Sequence, residues 1–123
     1  MGENREYITR SDEKGSINIS EDVISIIAAA AIQDVPGVDG APNTLGNDIA
    51  GFLGKKSASR GVKIRIDEEA IVVDAYIMVH YGYVISDVAK DVQNAVTNSV
   101  EAMTGLTVPE VNVHVCGITF DKE

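Results

Sequence analysis

One cysteine is all this 123-residue chain contains, and it has no tryptophan and only three prolines. Cys116 by itself excludes an internal disulfide and any CxxC metal or redox motif, and it fits a reducing compartment. Long apolar runs are missing as well. The longest, Ile26 to Ile32, is far short of the roughly 18 residues that suggest a membrane-spanning helix. Met1 to Arg10 hold no apolar stretch of the secretory kind, so the expected location is the cytoplasm, without direct membrane insertion. Positive charge is scarce: ten Lys and Arg stand against nineteen Asp and Glu, a formal net charge of −9. A surface of that sign repels polyphosphate, which argues against nucleic acid as a general partner.

What remains is an ordinary globular composition of one-domain size, 45% hydrophobic and 24% charged. Residues 1–14 are mostly polar and are expected to form a loose, flexible tail, leaving 15–123 as a single domain. Ser16 to Ile19 alternates as one short strand. Ser20 is a candidate helix N-cap with Glu21 and Asp22 in the first turn, where the helix dipole favours negative charge. The helix is expected to run to Val35, before Pro36-Gly37. Residues 36–61, with six glycines and two prolines, read as a long connection. Val62, Ile64 and Ile66 then alternate with Lys63 and Arg65. After Asp67-Glu68-Glu69, the positions Ile71, Val73, Ala75, Ile77, Val79 and Tyr81 share one face of a long strand, so the pair reads as a hairpin. A second helix is expected from Ile85 to Thr104, with an apolar stripe through Ile85, Val88, Val92, Val96, Val100 and Met103 and Gly105 just past its end. Val111 to Phe120 forms the last strand, with Val111, Val113 and Val115 inward and a bulge near Gly117. The order β-α-β-β-α-β implies an α+β two-layer sandwich, with two helices on one face of a mostly antiparallel sheet. That arrangement is ferredoxin-like. A KH-like arrangement is the alternative, because the first strand is short enough to be peripheral.

Several segments resemble one family in the right order. Gly15-Ser-Ile-Asn-Ile-Ser-Glu-Asp-Val-Ile, Val35-Pro-Gly-Val-Asp-Gly, Gly61-Val-Lys-Ile, Val79-His-Tyr-Gly and Val88-Ala-Lys-Asp-Val-Gln are similar to the alkaline-shock (general-lactic-stress) proteins of Gram-positive bacteria. Met103-Thr-Gly-Leu and Val111-Asn-Val-His-Val resemble that family's closing segment. The resemblance covers Gly15 to Phe120. It implies a cytoplasmic, non-enzymatic protein linked to envelope stress, self-associating and held in part at the inner face of the membrane by an anchoring partner. It also implies a link, in small housekeeping members, to fatty-acid-kinase-type proteins. It supplies no catalytic residues, cofactor or metal.

The residues themselves offer few chemical constellations. His114 and Cys116 share a strand face and His80 lies in the outward set of the preceding strand with Asp74, Tyr76 and Met78, yet their spacing fits no zinc motif. Cys116 has no evident base-orienting group for nucleophilic catalysis. Leu53-Gly-Lys-Lys-Ser fails the phosphate-loop frame, because Ile49 stands where the first glycine is required. The charge pattern says more. Lys55, Lys56, Arg60, Lys63 and Arg65, half of all the basic residues, fall within eleven positions that hold no acid. They form a candidate docking hook for an acidic protein partner or an anionic membrane surface, against the plainer reading of a solvated loop and strand. A small module binding RNA or an acyl ligand is the alternative. Outward Val72, Tyr76, Met78, Ile118 and Phe120 need a cover, which a second copy of the chain would provide.

Overall fold

The computed structural model describes residues 7–40, 61–67 and 70–120. Its elements are strands β1 (Tyr7–Asp12) and β2 (Gly15–Ser20), helix α1 (Glu21–Gln33), strands β3 (Val62–Asp67) and β4 (Ala70–His80), helix α2 (Ile85–Thr104) and strand β5 (Thr107–Thr119). The α+β two-layer sandwich expected from the pattern is present. Both helices pack on one face of a mixed sheet of order β3-β4-β5, with β3 antiparallel and β5 parallel to the central β4.

Alternation in β4 decides which face is covered. Ile71, Val73, Ala75, Ile77 and Val79 are fully buried, and the residues between them are half-exposed on the other side. Against the buried face lies the stripe Val88, Val92, Val96 and Val100 of α2, with Ile24, Ala28 and Ile32 of α1 beside it. Burying each large aliphatic side chain is worth about 1.5–3 kcal/mol before the entropy of ordering is counted. The ends of the expected stripe do not join it. Ile85 and Met103, in the first and last turns of α2, are exposed.

Caps close both helices. Val23 N–H donates to Ser20 Oγ at 3.2 Å, as expected, and α1 stops at Gln33, two residues before the expected Val35. Gly105 ends α2 in the left-handed region at φ +76°, with its N–H on the Glu101 carbonyl at 2.9 Å.

The N-terminus departs from expectation. Residues 7–12 are not a loose tail. They pair antiparallel with β2, Tyr7 opposite Ser20 and Asp12 opposite Gly15. Ile8 is buried in the core, and Arg10 donates to the Gly105 carbonyl at 3.1 Å, so the hairpin clasps the end of α2. The strand beginning at Gly15 therefore pairs with β1 and stays peripheral to the three-stranded sheet, as the KH-like alternative allowed. The last strand is also longer than expected. It starts at Thr107 and carries Pro109 inside it, a placement that an outer strand tolerates.

Beyond β3, the first residues of the long connection continue the sheet. His80 N–H donates to the Gly37 carbonyl at 2.8 Å, Asp39 N–H to the Met78 carbonyl at 2.8 Å and Met78 N–H to the Gly40 carbonyl at 3.0 Å. Gly37, at φ +97°, leaves no room for a side chain: a Cβ there would stand 2.8 Å from Tyr83 and Val88 atoms. Gly40 has φ +90° but open space around it. Gly37→Ala and Gly40→Ala thus carry similar backbone strain of about 1–3 kcal/mol. Only the first adds a clash, so urea titration should place its midpoint clearly below that of Gly40→Ala.

Candidate interaction surface

The sheet face opposite the helices gathers the polar side chains that the strands turn outward. Asp74, at the middle of β4, is their hub, and its side chain is only 15% exposed. Lys63 stands directly opposite it on β3, but the ion pair goes to Arg65, one diagonal step along the strand. Arg65 donates through Nε at 3.2 Å and approaches through Nη2 at 3.1 Å, both to Oδ2. The planar guanidinium presents two donors to one carboxylate, which an ammonium does not. From β5, Asn112 donates to Asp74 Oδ1 at 3.2 Å and to Glu110 Oε2 at 3.1 Å, while His114 Nε2 lies 3.5 Å from Oδ1. The His114 ring stacks on Tyr76 with centroids 4.5 Å apart. Partial burial pushes the Asp74 carboxyl upward. Hydrogen bonds from Asn112, His114 and Arg65, with the Arg65 charge, outweigh it and hold the pKa below the ordinary carboxylate value.

Of the expected hook, Lys63 and Arg65 are exposed on β3. Lys55, Lys56 and Arg60 lie outside the described residues. Lys63 forms no ion pair among the described residues, whereas Arg65 is shared with Asp74. A groove of about 400 Å³ lies along this edge, lined by Lys63, Arg65 and Asp74 on one side and by Glu21, Asp22 and Ser25 of α1 on the other.

The histidines and the cysteine do not converge. His80 Nδ1 is 3.4 Å from Thr119 Oγ1, and Cys116 Sγ donates to the backbone carbonyl of His114 at 3.7 Å rather than to its ring. A base-orienting group for His114 does exist in Asp74, but the thiol is not placed on the imidazole. No group of three or more His, Cys, Asp or Glu among the described residues could hold a metal ion.

The bulge expected near Gly117 is present, and it changes the face on which the last residues of β5 lie. Ile77 stands opposite Val115, and the next residue, Met78, stands opposite Gly117, so Cys116 is the extra residue. Met78 crosses Gly117 so closely that a Cβ there would sit 2.8 Å from its Cε. Ile118 then lies opposite inward-facing Val79 and has left the outer face on which Val72, Tyr76 and Met78 remain half-exposed. Phe120, two residues on, stacks on Tyr81 at 4.9 Å. Tyr81, expected to be inward, is 65% exposed because β4 has already ended at His80.

Comparison with known proteins decides the family. Residues 9–120 match the model of the alkaline-shock protein 23 family, described by a cell envelope-related function. The chain belongs to that family. Among curated relatives of this alkaline-shock protein, the uncharacterized protein YloU of Bacillus subtilis (strain 168) is 40% identical over 106 residues, spanning 85% of this chain and 88% of its own. YqhY of the same organism is 33% identical over 109 residues, 89% of this chain and 81% of its own. Among solved structures, MamM-CTD 215-293 superposes with a TM-score of 0.48 at 17% identity, covering 78% of this chain and 96% of that one. No helix among the described residues is long and apolar enough to cross a membrane.

The hub gives a pH prediction. A carboxyl whose folded pKa is depressed stabilises the fold fully above its unfolded pKa of about 4, and that contribution is lost as pH falls through the lower folded value. Charged hydrogen bonds of this kind are worth about 1.5–3 kcal/mol when buried. Arg65 at 61% and His114 at 45% exposure reduce that to about 1 kcal/mol. Asp74→Asn should therefore be less stable than the parent by about 1 kcal/mol at pH 7. Chemical denaturation repeated down to pH 2 should show the gap closing below pH 4.

Proposed function

We propose that this alkaline-shock family protein is a non-enzymatic, cytoplasmic scaffold that works beside the cell envelope. In this reading it self-associates and docks onto an acidic protein partner, either a membrane anchor or a fatty-acid-kinase-type protein, through its basic hook. What supports the reading is the family's envelope-related description together with the two basic residues exposed side by side on β3 of an otherwise acidic chain. Lys63 is exposed on β3, and Asp74 holds Arg65 in register beside it. The surrounding acids discourage other docking modes by like-charge repulsion. A basic residue near an anionic leaflet contributes only about 1 kcal/mol, less after screening, so a protein anchor is favoured over lipid.

Two variants test this: Lys55→Ser/Lys56→Ser/Arg60→Ser, and Lys63→Ser alone. Surface changes of this type alter stability by under about 0.5 kcal/mol, so both should fold. Tagged protein purified from the native host should lose its partner progressively as these charges are removed, and at lower salt than the parent does. Retention of the same partner with unchanged salt sensitivity would leave the hook a solvated face.

A further inference from the structure

The two outer strands of the sheet are unlike each other. β3 carries Lys63 and Arg65, the kind of charge that keeps an exposed strand edge from pairing with another chain. β5 carries no Asp, Glu, Lys or Arg from Val111 to Phe120. Side chains of helix α2 bond the backbone at the beginning of the free side of β5. There Glu101 accepts from Val108 N–H at 2.9 Å and Gln93 donates to the Val111 carbonyl at 3.0 Å. Beyond Val111 no described strand pairs with that side. Alternate residues of a strand direct their backbone groups to the same side, so those of Val113 and Val115 follow Val111 away from β4. At the end of this open run the bulge delivers apolar side chains to solvent. Ile118 is 38% exposed and Phe120 65%, with equally exposed Tyr81 stacked on the latter.

We propose that two copies of the chain pair edge to edge through β5, antiparallel about a two-fold axis near Val115. The two three-stranded sheets become one six-stranded sheet, and Ile118, Phe120 and Tyr81 are covered across the junction. A two-fold axis requires the antiparallel sense and makes the contact self-complementary. Electrostatics select the place. In a chain of net charge −9, this run is where two copies meet without opposing like charges. Area supports the occupant: the three exposed side chains offer roughly 300 Å² per copy. The edge backbone with His114 and Cys116 adds to this, toward the roughly 800 Å² per partner of a standard interface. The proposal rests on the self-association reading above and names its surface.

Cys116 is exposed on the pairing segment and serves as a built-in probe. In sedimentation at high micromolar concentration the parent should run as a dimer, and a short-spacer bismaleimide should join two chains through Cys116. Ile118→Lys should shift the protein to monomer and lower the cross-linked yield at least tenfold. Asp67→Asn, on the opposite edge and outside the basic hook, should change neither. Circular dichroism checks folding, and Phe120→Lys, past the end of β5, substitutes if Ile118→Lys is unfolded. A dimer that survives both substitutions and gives no Cys116 adduct would overturn the β5 junction and leave self-association standing on another surface. A parent that sediments as a monomer throughout would overturn self-association and the junction together.

Discussion

Every other element of the fold is positioned by the burial of one side of β4. Its five inward residues receive both helices, and its backbone holds β3 and the segment from Gly37 to Gly40 along one edge and β5 along the other. The side-chain period of a strand is two, so burying one set exposes the other. Asp74 is on the exposed side for that reason alone, and its neighbours assemble around it because two registers are fixed at once. A slip of one residue in either pairing would bring Ile64 or Val113 to the carboxylate in place of its polar partners, and would turn the helix-facing set to water.

The outer face is thus a consequence of packing on the inner one. Its ion pair is diagonal, its stacked rings are directly opposite each other, and its charges lie on β3, at Asp74 and at Glu110 near the start of β5. Toward the end of β5 the surface becomes uncharged and partly aromatic. The two outer strands of one sheet are therefore chemically distinct.

Legibility in the sequence followed the length and regularity of each pattern. The alternation of β4 and the valine stripe of α2 persist over enough residues to identify element, face and partner. The cap at Ser20 and the left-handed glycine at 105 were legible because each has a single physical cause. The β1–β2 hairpin was not, since the one buried residue, Ile8, is followed by Thr9, Arg10, Ser11 and Asp12, which give no period. Nothing local announces that Arg10 will reach a carbonyl 95 positions away. Asp74 was recognisable as outward, but its partners depend on two cross-strand registers that no single segment encodes. The bulge at Gly117 was foreseen, whereas its effect on Ile118 and Phe120 was not. A single extra residue reverses every later assignment of face.

The clasp between Arg10 and Gly105 bears on how the molecule is made. A chain emerges from the ribosome N-terminus first, and its early segments must wait for contacts that lie late in the sequence. Here the first hairpin is anchored on the end of α2, and the central strand lacks one neighbour until β5 has been synthesised. The β1–β2 and β3–β4 hairpins can form from local contacts, whereas the three-stranded sheet is complete only once β5 has been synthesised and the costly long-range loops have closed. Until then Ile8 and the apolar side of α1 are exposed on the nascent chain. Truncation before β5 leaves a product with no edge to close the sheet, and truncation within α2 also removes the carbonyl that Arg10 grips.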